Sequence, residues 1–289
     1  MSAPAAASEA FVPSRPRRVV ARKAVLFVLV TAVALLFFVP FIWTVGTSFK
    51  TIPDSVGVGL IPHPWTSDAW RAIWTQYDFK TYIRNSLQLA VIVTAANVLL
   101  AGLGGYAFAR LRFPGREVLF LLVVGTLLVP DQLRLIPVFV MLTNWHLIGN
   151  FSGYILINLV TATNLFFMRQ YFLTIPKDFE EAAKLDGAGY FKTFWRVMLP
   201  LALPAISALV ILQFQGTWND FVWPLILFGQ GNTAHYTVQL GLASLQFQYS
   251  TLWPSICAGS IIAILPILAI FLTFQRYFVS GVVSAGVKG

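Results

Sequence analysis

The stretch Glu181-Ala182-Ala183-Lys184-Leu185-Asp186-Gly187, followed by Val197-Met198-Leu199-Pro200, interrupts two strongly apolar blocks of this chain. It is short, charged and carries its own helix signals. Pro176 breaks the incoming helix, because proline has no N–H to donate. Asp178 is a suitable N-cap, and Glu181 stands three residues on, in the capping-box position. Glu180 to Leu185 are mostly strong helix formers. Gly187 fits a left-handed stop after Asp186. The pattern predicts a helix of about two turns, which is marginal alone and needs a surface to pack on. Ala182 and Ala183 leave a face for close approach, while Glu180, Glu181 and Lys184 supply polar edges. Tyr190, Phe191, Phe194, Trp195 and Met198 then recur at roughly helical spacing, as in a helix lying at a membrane interface. The whole interruption reads as built to press on something outside the membrane.

The flanking blocks fix the class. Of 289 residues, 57% are hydrophobic and only 11% charged, against about 25% charged in ordinary soluble domains. One water-soluble core cannot hide that much apolar surface. A spanning helix needs about 20 mostly apolar residues. Six segments qualify: 24–46, 86–109, 117–142, 152–172, 199–228 and 255–275. The third and fifth are long and carry polar residues, so kinks or tilt are expected there. The fold class is therefore all-α membrane protein with six transmembrane helices.

Charge sets the orientation. Lys and Arg gather before residue 24, at Arg110, Arg112 and Arg116, between Arg169 and Arg196, and in the tail at Arg276 and Lys288. The positive-inside rule then places both termini and the 173–198 loop in the cytoplasm. Three domains result: a basic N-terminal segment, 1–23, a transmembrane domain, 24–275, and a C-terminal tail, 276–289. Residues 1–14, rich in Ala, Ser and Pro, are expected to lack packed structure. The apolar run after Lys23 is too long for a signal peptide. On the outer side, 47–85 holds Trp65, Trp70, Trp74 and Tyr77, suited to the headgroup level. The loop 229–254 has no Lys, Arg, Asp or Glu. It suits either an ordinary interface or contact with a neutral hydroxylated partner or another protein.

Several functions are disfavoured. The net charge of +9 sits in loops beside apolar segments, where it signals topology rather than nucleic-acid binding. Cys257 lies in an apolar run as a packing residue. His63, His146 and His235 have no metal-ligand spacing. Gly102, Gly104 and Gly105 suit close helix packing. No Gly-x-x-x-x-Gly-Lys-Ser/Thr run exists, so the usual nucleotide loop is missing.

The spacing Glu181-Ala182-Ala183, Gly187, Val197, Leu199-Pro200 resembles the EAA signature of permease subunits of ABC importers. Val197 for the more usual Ile is the one departure. The longer run Glu181 to Ala188 looks like the carbohydrate-importer branch. Gly105-Tyr106-Ala107-Phe108-Ala109-Arg110, Phe113-Pro114-Gly115, Trp218-Asn219-Asp220-Phe221 and the glycine-ended tail are similar to the maltose-type second permease. The resemblance implies type I importer architecture in a bacterial inner membrane. It implies that Glu180, Glu181, Ala182, Ala183, Asp186, Gly187 and Ala188 form a coupling helix that docks on a cytoplasmic ATPase. It also implies a second permease, two ATPase subunits that bind ATP and Mg, an extracytoplasmic sugar-binding protein and a carbohydrate solute. This chain would hold no cofactor and perform no covalent chemistry.

Polar residues at membrane depth carry a cost and invite a functional reading. Asn219, Asp220, Trp218, Gln213 and Asn164 are candidates for a translocation path, or else bonds to neighbouring helices. Asp131 and Arg134, three apart on a helix, can pair. The rival class is an ion-coupled secondary transporter or channel using Asp220 and Asp131.

Overall fold

The computed structural model describes residues 17–57, 59–229, 233–246 and 251–286. Most of the 1–23 segment, Phe247, Tyr249 and the last three residues of the tail lie outside them. The chain runs through α1 (Arg17–Thr47), α2 (Asp68–Thr75), α3 (Phe79–Arg110), α4 (Arg116–Gly125) and α5 (Asp131–Asn144). It continues through α6 (Phe151–Asn158), α7 (Ala162–Thr174), α8 (Asp178–Leu185), α9 (Tyr190–Thr193) and α10 (Leu199–Leu201). Finally come α11 (Leu203–Asn219), α12 (Val222–Phe228), α13 (Val238–Ala243) and α14 (Trp253–Gly286). No strand forms among the described residues beyond one isolated bridge, Gln246 to Thr251.

Four stretches are long and apolar enough to cross a membrane: Val25–Thr47, Phe79–Arg110, Phe151–Thr174 and Trp253–Gln275. Two bent pairs raise that to six if each counts as one span. The kink expected in the third span, 117–142, is a sharp bend of 105° between Arg116–Leu128 and Asp131–Asn144. Val129 is extended (φ −92°, ψ 113°) before Pro130, as sterics against a following proline demand. The expected fifth span, 199–228, is likewise broken. Tyr190–Leu201 and Leu203–Asn219 meet at 78°, where Pro200 and Pro204 flank the bend and each lacks a backbone donor. The helix breaks again at Asp220, whose backbone is extended. Before the first break, Phe194–Met198 forms one π turn, a geometry that the residue spacing does not signal.

The core is strung along α3. Near its start, Phe79 and Tyr82 pack with Ile73, Trp218, Val238 and Ala258. Midway, Leu89 and Val93 meet Leu142, Tyr154 and Leu227. At its end, Tyr106 meets Met168, Phe172, Phe194 and Met198. The described part of the 229–254 loop belongs to this packing. Asn85 donates to the carbonyls of Ala234 and Tyr236 at 2.8 and 3.0 Å, and Ser86 accepts from the Val238 N–H at 2.8 Å. In the outer loop, Trp70 donates to Ser48 at 3.2 Å, while Trp65 stays exposed. Lys50, only 2% exposed, donates to the carbonyls of Gly57 and Gly59.

Several apolar surfaces stay uncovered among the described residues. α1 is exposed from Val25 to Ile42, with α14 as its chief neighbour. Leu128, Leu133 and Ile136 around the bend between α4 and α5 are also exposed. Apolar faces of this extent suit lipid or another membrane subunit.

α3 and α7 approach each other most closely at Gly105. A Cβ there would lie 2.6 Å from the Met168 Cβ and 2.8 Å from the Arg169 backbone N. Backbone cannot move aside cheaply, so Gly105→Val should cost at least about 1–3 kcal/mol. The expected result is a lower melting temperature in detergent and a lower membrane yield; a melting curve matching wild type would contradict this packing.

Candidate functional site

The loop between α7 and α9 begins where α7 ends at Thr174. Ile175 turns extended (φ −74°, ψ 131°) ahead of Pro176. Asp178 is not the N-cap that its type suggested. Lys177 is already helical (φ −69°, ψ −22°) and holds that position without a side-chain cap. Its carbonyl accepts the N–H groups of Glu180 and Glu181 at 2.9 and 3.1 Å. The turn has closed one residue earlier, so no capping box forms with Glu181. Asp178, Glu180 and Glu181 instead sit in the first turn, where negative charge balances the positive helix end.

The other end matches expectation. Gly187 takes φ +75°. Its N–H bonds to the Lys184 carbonyl at 3.0 Å, and the Ala188 N–H reaches back to Ala183 at 2.9 Å. These crossed bonds satisfy carbonyls that the helix end would otherwise strand. No atom lies within 4 Å of where a Gly187 Cβ would be, so backbone conformation alone selects glycine.

The helix has two distinct faces. Glu180 and Ala183 point inward and are buried, whereas Glu181, Ala182, Lys184, Leu185, Asp186 and Gly187 are exposed. Ala188 is half-buried. Glu180 is therefore corrected from an outer edge to an inner anchor. Leu185 is 90% exposed, an apolar tip that composition alone did not single out. Beside it, Tyr190 and Phe191 are exposed, while Thr193, Phe194 and Met198 are buried. The Lys184 ammonium lies 5.6 Å from the Tyr190 ring centre.

Beneath α8 lies Arg110, a residue that no local pattern marks as part of a site. Its Nε is 3.7 Å from Glu180 Oε1, and both side chains are nearly buried. Its Nη2 also donates to the carbonyls of Phe172, at 2.5 Å, and Ile175. One guanidinium thus joins the end of α3, the end of α7 and α8. The only sequence signal was its place closing the Gly105–Arg110 segment. A second clamp stands nearby: Arg169 donates to Glu117 at 3.2 Å and covers the Phe120 ring at 3.9 Å.

The candidate path residues separate into groups. Asn164 donates to Asn97 and to Gln213, each at 2.7 Å, and Gln213 donates to Thr217 at 3.2 Å. Asn97 is fully buried and also donates to the Asn158 carbonyl. Asn164 and Gln213 therefore tie α3, α7 and α11 together, although each stays half-exposed. Trp218 is 1% exposed, and its Nε1 donates to the Ala263 carbonyl at 3.0 Å; its place is between α11 and α14. Asp220 accepts from the Tyr154 hydroxyl at 2.9 Å and from the Trp223 N–H. Asn219 is exposed and accepts from Gln239 at 3.2 Å. Asp131 and Arg134 form the expected exposed pair. Among the described residues, no group of three or more His, Cys, Asp or Glu comes together.

Comparison with known proteins adds the family. Residues 98–284 match the model of the binding-protein-dependent transport system inner membrane component. The arabinooligosaccharides transport system permease protein AraQ of Bacillus subtilis is 39% identical over 205 residues, covering 71% of this chain and 72% of that one. The sn-glycerol-3-phosphate transport system permease protein UgpE of Yersinia enterocolitica is 30% identical, covering 89% and 94%. A crystal structure of a bacterial ABC transporter involved in alginate import has a chain with a TM-score of 0.79 and 23% identity, covering 92% of this chain and all of that one. At that identity the likeness shows the fold.

Gly187→Val should strain the stop by about 1–2 kcal/mol, the penalty for a side chain in left-handed backbone. Amide exchange from Leu185 to Ala188 should accelerate roughly tenfold by mass spectrometry. Unchanged exchange there would show that the crossed carbonyl bonds do not hold the helix end.

Proposed function

The chain belongs to the binding-protein-dependent transport system inner membrane component family, and we propose that it is the second permease of an ATP-driven sugar importer. It forms the translocation path with another permease. Two cytoplasmic ATPase subunits, which bind ATP and Mg, dock on α8. An extracytoplasmic sugar-binding protein delivers the solute. Both termini lie in the cytoplasm of a bacterium, and the protein spans its inner membrane.

One observation carries this reading. α8 is fixed on its inner side by Glu180 and Ala183, yet it displays Leu185 at 90% exposure between Lys184 and Asp186. A leucine so displayed, on a helix rigidly held, is a surface awaiting a partner. Glu181, Ala182, Asp186 and Gly187 line the same outer face. A rigid body of this kind passes on movement from whatever holds its tip. The basic residues Arg110, Arg112, Arg116 and Arg169 collect at the same end as α8, which supports a cytoplasmic location.

A polar solute is supported by relatives named for arabinooligosaccharides and glycerol 3-phosphate. Of the candidate path residues, Asn164, Gln213 and Asn219 keep partly open amides and are the ones we assign to solute. Trp218 and Asp220 serve helix packing. The described part of 229–254 supports the delivering protein as a folded platform, since Val238, Leu240 and Leu245 anchor it.

Two variants test the docking face. Glu181→Lys should insert normally but lose solute-stimulated ATP hydrolysis; full stimulation would remove the coupling role. Burying a leucine stabilises a contact by about 1.5–3 kcal/mol, so Leu185→Asp should weaken ATPase retention at least tenfold. Retention is read by quantifying subunits that copurify in gentle detergent, and equal retention would place docking elsewhere. Ion-driven transport by the chain alone in liposomes would favour the secondary-transporter class instead.

A further inference from the structure

Arg110 and Glu180 form an unusual pair. They approach to 3.7 Å with side chains 4% and 11% exposed. Neither Arg110 Nε nor Glu180 Oε1 has any hydrogen-bond partner. Each charge therefore depends on the other for compensation in a region of low dielectric, where an unpaired charge is strongly disfavoured. Meanwhile the other arm of the guanidinium is spent on the carbonyls of Phe172, in the last turn of α7, and of Ile175, the residue that caps it. Planar, forked donors permit this double engagement, which a lysine ammonium would not reproduce. α8 itself is only eight residues long, too short to keep its orientation unaided.

We infer that Arg110 is a positioning residue for transport: through Glu180 it locks α8 to the joined ends of α3 and α7, so that a push on α8 turns those spans as one body. This rests on the proposed docking of ATPases on α8. Glu181, the neighbouring acid, faces the partner; Glu180 faces the bundle. Two adjacent carboxylates thus serve opposite sides of the same helix. Without the inner lock, α8 would swing about its two flanking connections and absorb the movement it receives.

The experiment uses the complex purified from its own membrane, with Cys257→Ala as background. Spin labels at exposed positions 112 and 178 report how firmly α8 is held, and a fluorophore at exposed position 216 reports the response of the far part of α11 to ATP and Mg. Glu180→Gln should broaden the 112–178 distance distribution at least twofold and abolish most of the ATP response at 216. Should that variant not assemble, Arg110→Met with Glu180→Met removes both charges and should assemble with the same two defects. A narrow distribution in an assembled variant overturns the inference. So does a full response at 216 despite broadening, and so does failure of both variants to assemble, which would assign the pair to folding. An ATP response missing from the wild-type complex, or the absence of ATPase subunits from it, would defeat the docking reading, while the distance width would still judge Arg110.

Discussion

Where α3 crosses α7 there is no room for a methyl group. Gly105 lies against the backbone of Met168 and Arg169, and this close approach governs the course of both helices beyond it. It brings the end of α3 beside the end of α7. There Arg110 reaches the carbonyls of Phe172 and Ile175. The aromatic cluster of Tyr106, Phe172 and Phe194, with ring centres 5.3 to 6.3 Å apart, then seals that end and seats the π turn. A helix too short to stand alone acquires a fixed place because two long ones meet without a gap.

A second constraint comes from the solvent. In hydrocarbon there is no water to satisfy a polar group, so partners must come from the protein. The amides of the interior obey this rule, although the Thr94 hydroxyl in α3 finds no partner. Asn97, Asn164, Gln213 and Thr217 satisfy one another in sequence. Asp220 is met by Tyr154, and the break it sits in is tied to α12 through the Trp223 N–H. These bonds join α3, α6, α7 and α11, which makes polar residues a means of helix association where lipid weakens the hydrophobic drive.

Much of this was legible in the residues. Long apolar runs marked the spans Val25–Thr47 and Trp253–Gln275 and the end of α3 to within two positions, whereas α3 starts seven residues early, at Phe79; Gly187 announced the end of α8. The features that local patterns do not reveal have physical causes. Proline marks a break only when tertiary structure lets it: Pro40, Pro137 and Pro266 lie inside helices, whereas Pro130, Pro200 and Pro204 sit at bends. Glu180 and Glu181 are equally acidic neighbours, yet successive helical residues point about 100° apart. Only the bundle beneath decides which one faces inward. Arg110 bonds to residues more than sixty positions away in sequence, beyond any local pattern. Asn97 was a lone amide in an apolar run and gained meaning only beside Asn164.

The bare first helix has a consequence for its surroundings. Every side chain from Val25 to Ile42 is exposed, and within the chain α1 rests mainly on α14. In hydrocarbon that contact has little hydrophobic drive of its own, because lipid tails are as apolar as the side chains. The angle of α1 is therefore governed less by this chain than by the thickness of the bilayer around it.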